Sequence, residues 1–153
     1  MDIIFKKGNG RNSITCQRPD KSSTWTEADS FMVSHDLTHF VVEKKLGLKN
    51  GFYGLLSDGI DITDFEKKQK ITPKEIPAEG IKAELLVNMI LTEKNDKTRI
   101  SDFNQVYNDS AQKFNIANES FSNLILDQIH SEIDEMLEQW KKLKTGETIR
   151  LKW

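Results

Sequence analysis

Alternating hydrophobic and polar residues near both ends of the chain predict the strands of one sheet. Residues 3–5, 12–18 and 23–28 are short β-prone runs, separated by turns that contain glycine, asparagine, proline and serine. In residues 148–153, every second side chain is hydrophobic. A closing strand of this kind most simply joins the N-terminal strands, which gives four strands in a mostly antiparallel sheet.

Hydrophobic residues at intervals of three and four predict helices in the middle of the chain. These helices are expected over residues 34–46, 51–57, 78–92, 101–114 and from within 115–122 to about 144. Acidic residues at 58–64 and charged residues at 93–98 predict loops. The predicted fold class is therefore α+β: a four-stranded, mostly antiparallel sheet packed against four or five helices, in a single domain over residues 1–153.

The helix over residues 34–46 carries most of the candidate chemistry. His35, His39 and Glu43 follow one another at a spacing of four, which places them one above another on the helix. Asp36 lies about 100° away from His35 around the helix, beside this polar stripe. Hydrophobic residues flank the stripe on both sides, whereas Thr38 falls where the helix is expected to face solvent. The stripe is therefore predicted to be buried, and buried charges require partners.

Two histidines four residues apart on a helix can bind one divalent metal ion. The predicted metal ligands are His35, His39, Glu43 and His130, which lies on the longest helix, and Zn²⁺ is the possible cofactor. Glu84 either adds a further carboxylate to this site or is a charge on an exposed helix edge.

A second interpretation of the same stripe needs no metal. Asp36 and Glu43 would then accept hydrogen bonds from the neighbouring imidazoles and from the backbone, as a structural network. If the site is catalytic instead, Asp36 and Glu43 are the candidate general bases.

Composition limits the classes of partner. Of the 153 residues, 37% are hydrophobic and 30% are charged, and the net charge is −2 with both signs mixed, so neither a nucleic-acid nor a membrane partner is expected. Cys16 is the single cysteine, which excludes an internal disulfide and fits a reducing compartment. The first residues lack the hydrophobic run of a signal peptide. A cytoplasmic protein is therefore expected.

The run HDLTHFVVE at residues 35–43, followed by GFYGLL at 51–56, resembles a family of small uncharacterised bacterial proteins with an HDLxHxxVE-type signature. The resemblance extends to the N-terminal strands and to the Gly-Glu-Thr segment at 146–148, and so covers nearly the whole chain. It implies a single-domain bacterial protein but no particular chemistry. The spacing of the two histidines is also loosely similar to that of the HExxH zinc hydrolases, but Asp36 stands where those enzymes have a glutamate that activates water.

These observations leave three functions open. The first is a non-catalytic binding or regulatory domain with a buried His/Asp/Glu cluster, whose partner is a small molecule or a protein. The alternative is a metal-dependent hydrolase in which His35 and His39 bind the ion. The third is a metal-storing or metal-sensing module. The sequence does not indicate an oligomeric state.

Overall fold

The computed structural model describes residues 1–66 and 76–153, and its sheet confirms the predicted one. All strand pairs are antiparallel and the strand order is β3-β2-β1-β4, with β1 Asp2–Lys6, β2 Asn12–Gln17, β3 Ser23–Ala28 and β4 Thr148–Lys152. The register places Phe5 opposite both Ile14 and Ile149. These three side chains are buried, so alternation directs one face of the sheet into the core.

Six helices in the described ranges pack with this sheet, which confirms the α+β class. They are α1 Ser30–Leu46, α2 Phe52–Ser57, α3 Ile62–Glu66, α4 Ala78–Asp96, α5 Phe103–Lys113 and α6 Asn123–Lys142. The number exceeds the expected four or five because the short α3 begins inside the segment that was predicted to be an acidic loop. None of these helices has the combined length and hydrophobicity needed to cross a bilayer.

Several helix ends differ from the prediction because side-chain partners extend or shorten the helices. α1 begins four residues early, since the Asp29 carboxylate accepts a hydrogen bond from the Met32 amide and caps the first turn. α4 continues through the predicted charged loop at 93–98 to Asp96, with Glu93 buried. α6 begins only after Ser122, whose hydroxyl accepts from the Ile125 amide.

Helix α1 lies at the centre of the fold, where it contacts α4 and α6 as well as β2 and β3. Thr38, predicted to face solvent, is fully buried, and its hydroxyl donates to the Ser34 carbonyl at 2.8 Å. The prediction was wrong because helical periodicity describes one helix and contains no information about how many neighbours cover it. The polar residues of α1 are therefore held by packing from several directions.

Candidate functional site

The polar stripe of α1 is joined by a carboxylate from α4. His39 Nε2 lies 3.1 Å from Glu84 Oε2, and His35 Nε2 lies 3.7 Å from Glu84 Oε1. One ligand atom from each of these three residues falls within 4.8 Å of the others. His35 and His39 also contact each other, with ring centroids 4.7 Å apart. Two helices thus bring two imidazoles and one carboxylate to a common point.

Glu43 lies on the other side of the His39 ring. Its Oε1 is 2.9 Å from His39 Nδ1 and accepts a hydrogen bond from the Phe52 amide at 3.0 Å, while its Oε2 accepts from the Tyr53 amide at 3.1 Å. The Glu43 side chain is fully buried. A Cβ at Gly51 would collide with its carboxylate, so the first turn of α2 approaches closely because residue 51 has no side chain. Glu43 is consequently fixed by three partners.

Asp36 supports the second histidine in a similar way. Its Oδ1 lies 3.2 Å from His35 Nδ1, and its side chain is buried. The Tyr53 hydroxyl donates to the Asp36 carbonyl at 3.0 Å, which ties α2 to the same turn of α1. Each histidine therefore has a carboxylate at Nδ1 and faces Glu84 through Nε2.

The carboxylates determine the charge of the histidines. Burial by itself would lower the pKa of His35, but its contacts with Asp36 and Glu84 raise that pKa to about 9. Burial likewise opposes a charge on His39, and Glu43 and Glu84 outweigh it and raise its pKa. His35 and His39 in turn hold the pKa of Glu84 well below its usual range. These shifts favour the protonated form of both imidazoles and the ionised form of Glu84.

A cavity of about 520 Å³ lies beside the cluster. His35, His39 and Glu84 form part of its wall, and most of the remaining wall is hydrophobic and includes Ile14, Phe52, Leu55, Ile62, Phe65 and Leu85. Met32 and Phe114 also line it and are exposed, so the cavity reaches the surface. Its volume lies within the range of about 300–1,000 Å³ that is typical of small-molecule sites.

His130, predicted as a further metal ligand, lies in a different cluster. Its Nε2 is 2.7 Å from Glu93 Oε2, but neither atom has a hydrogen-bond partner among the described residues, so this short approach lacks hydrogen-bond geometry. Burial and the nearby Arg99 and Lys94 lower the pKa of His130. His130 lines a second cavity, of about 410 Å³, whereas His35 and His39 line the first. The prediction that His130 joins the His35–His39 site is therefore wrong.

The structure brings four predicted residues together: His35, His39, Asp36 and Glu43. Glu43 lies at the Nδ1 side of His39, away from the point where the Nε2 atoms of both histidines meet Glu84. Glu84, for which the sequence left two interpretations open, is a partner of both histidines even though its side chain is 52% exposed. Glu93 was missed, because a glutamate at the end of a helical pattern resembles a solvated loop residue. The periodicity of helix 78–92, continued by four residues, was the available signal.

No family model, curated protein or solved structure matches this chain. The resemblance to the HDLxHxxVE-type family therefore stays a prediction, and functional inference depends on the geometry of the His35–His39–Glu84 cluster and its cavity.

Proposed function

We propose that the protein is a binding domain for a small, mostly hydrophobic molecule that carries one polar group. The observation that supports this function is the cavity of about 520 Å³, whose wall is largely hydrophobic and contains the His35–His39–Glu84 cluster. A hydrophobic molecule gains about 25 cal/mol for each Å² of its nonpolar surface that the wall removes from water. The few polar groups at one part of the wall would fix its orientation.

The cluster offers both kinds of hydrogen-bonding group to such a molecule. His35 Nε2 lies 3.7 Å from Glu84 Oε1, beyond hydrogen-bond distance, and would donate to the molecule, while the Glu84 carboxylate would accept from it. A hydroxyl group, which can donate and accept at once, suits this pair of partners. The ligand class is therefore a hydrophobic body with a terminal hydroxyl or a similar neutral polar group.

The alternative function, metal-dependent hydrolysis, has less support from the two predicted bases. Both oxygens of Glu43 are engaged by His39 and by backbone amides. The Asp36 carboxylate lies at Nδ1 of His35, on the opposite side of the ring from Nε2. A general base must reach the proton that it removes. The geometry favours positioning of the histidines by these two carboxylates.

The proposal can be tested with 1-octanol as the probe, by isothermal titration calorimetry in the presence of a chelator. Saturable binding at one site is expected. Leu85→Trp should abolish it, because the larger ring fills space at the cavity wall. Leu124→Trp is the matched control, since Leu124 is 69% exposed and lies outside the cavity lining.

Two results would count against a binding domain. One is the absence of saturable binding by the unmodified protein. The other is equal binding by the unmodified protein and by Leu85→Trp, provided that circular dichroism shows the variant to be folded. Either would mean that the cavity is not a ligand site for this class of molecule.

A further inference from the structure

We propose that His35 Nε2, His39 Nε2 and Glu84 bind one divalent transition-metal ion, with Zn²⁺ as the best-matched candidate. This inference uses three side chains that also line the proposed ligand cavity, but it does not rest on that proposal, because its test measures binding of the ion alone. It also differs from the predicted ligand set of His35, His39, Glu43 and His130, for which Glu84 was only one possible further carboxylate.

The spacing of the three side chains suits a tetrahedral ion. At Zn–N distances of about 2.0–2.1 Å, tetrahedral ligand atoms lie about 3.4 Å apart. The two separations that involve Glu84, 3.1 Å from Oε2 to His39 Nε2 and 3.7 Å from Oε1 to His35 Nε2, lie on either side of this value, although they run to different oxygens of the carboxylate. One ligand atom from each of the three residues lies within 4.8 Å of the others, so the side chains must rotate toward one another to bind the ion.

The groups behind the ligands are those that metal-binding histidines require. A ligating histidine usually donates its other ring N–H to a carboxylate or carbonyl, which fixes the tautomer and leaves a lone pair for the metal. Glu43 occupies that position on His39 at 2.9 Å, and Asp36 occupies it on His35 at 3.2 Å. Glu43 is itself held by the amides of Phe52 and Tyr53. Both imidazoles are thus oriented before any ion arrives.

The three carboxylates of the cluster also favour binding of a cation. Asp36, Glu43 and Glu84 meet within two helices, and among residues 1–66 and 76–153 no lysine or arginine forms an ion pair with any of them. A divalent ion that displaces the two Nε2 protons would supply the same two positive charges that protonated imidazoles give the three carboxylates. Carboxylate and imidazole donors together suit Zn²⁺ and its neighbours in the first transition series.

The remaining coordination position would face the cavity. His35, His39 and Glu84 all line it, so an ion among them has protein on one side and the cavity on the other. Three protein ligands and one open position are typical of catalytic zinc sites, whereas structural zinc sites have four protein ligands. The site is therefore suited to hold an ion that a small molecule can reach.

The test uses untagged protein, stripped with a chelator and titrated with Zn²⁺ by calorimetry and with Co²⁺ by visible absorption. We expect one ion per chain, a tetrahedral Co²⁺ spectrum, and displacement of Co²⁺ by Zn²⁺. Glu84→Gln should weaken Zn²⁺ binding by at least about 100-fold and Glu43→Gln by about 10- to 100-fold. His130→Ala is the matched histidine control and should bind Zn²⁺ as tightly as the unmodified protein.

Glu84→Gln is preferred to a histidine variant because its side chain is half-exposed and the substitution keeps its shape, so the variant should fold. The Zn²⁺-induced rise in the thermal unfolding temperature provides a second readout, expected in the unmodified protein and His130→Ala but absent in Glu84→Gln. The proposal is overturned if the stripped protein takes up no stoichiometric Zn²⁺. It is equally overturned if Glu84→Gln binds as tightly as the unmodified protein.

Discussion

Two buried histidine–carboxylate clusters share helix α4 and differ in the charge of their histidines. Near the start of α4, Glu84 meets two histidines that have further carboxylates behind them, and the pKa of His35 is raised to about 9. Near its end, Glu93 meets His130, whose pKa is lowered by burial and by Arg99. The comparison teaches that a carboxylate contact alone does not determine whether a buried histidine is charged. The number of carboxylates and the nearby cations decide it.

The two clusters should differ most in the unfolding free energy that each loses when its supporting carboxylate is removed. Glu43→Ala leaves the His39 Nδ1–H and two backbone amides without their acceptor inside the protein, which should cost about 3–5 kcal/mol of unfolding free energy. Glu93→Ala should cost less, about 1–3 kcal/mol, because it loses the hydrogen bond from the Ile100 amide and a contact with a neutral imidazole. Urea denaturation of both variants measures the difference. Equal losses would mean that the two carboxylates are equivalent.

A smaller effect is expected from displacing Glu43 without removing it. In Gly51→Ala the new Cβ collides with the Glu43 carboxylate and pushes α2 away from α1. We expect a loss of about 1–3 kcal/mol in urea denaturation. Gly80→Ala is the control, because there the new Cβ meets the side-chain methyl of Ile76, which can rotate away. If Gly51→Ala is no less stable than Gly80→Ala, the close approach of α2 is not what holds Glu43.

The two clusters should respond oppositely to pH in chelator-treated protein. The pKa of His35 is raised above its usual value near 6.5, so its contribution to stability is fully present below about pH 6.5 and is lost as the pH rises through about 9. The pKa of His130 is lowered, so its contribution is present above about pH 6.5 and is lost as the pH falls through its folded-state value. NMR titration of the imidazole protons measures both values. Glu84→Gln should lower the pKa of His35 and leave that of His130 unchanged.

The smallest effect on stability is expected from removing a cation near His130 and Glu93. Arg99→Gln removes a half-exposed positive charge that pairs with exposed Asp127 at 3.0 Å and with buried Glu93 at 3.6 Å, so the protein should lose about 1 kcal/mol of stability or less. The same substitution should raise the pKa of His130, because Arg99 is one cause of its lowering. An unchanged NMR titration of His130 would contradict this account and leave burial and Lys94 as the causes of the lowered pKa.

The four strands could be predicted from the sequence because the alternation of side chains along a strand is a local pattern with a period of two. The C-terminal end of α1 was equally accessible, since Gly47 adopts the left-handed conformation that a helix C-cap favours, with φ of 65°. The N-terminal end was missed: the helix was predicted to begin at residue 34, but it begins at Ser30, after the Asp29 cap. Asp and Ser are both favoured at helix N-caps, so the local sequence does not single out one position.

By itself the sequence determined that His35, His39 and Glu43 share one side of a helix, because residues four apart always lie on the same face of an α-helix. Only the tertiary structure decided that Glu84 meets both histidines and that His130 does not. The distance between side chains on different helices depends on how those helices pack, and no local period encodes that distance. The same holds for Thr38, whose burial is set by the elements that cover α1.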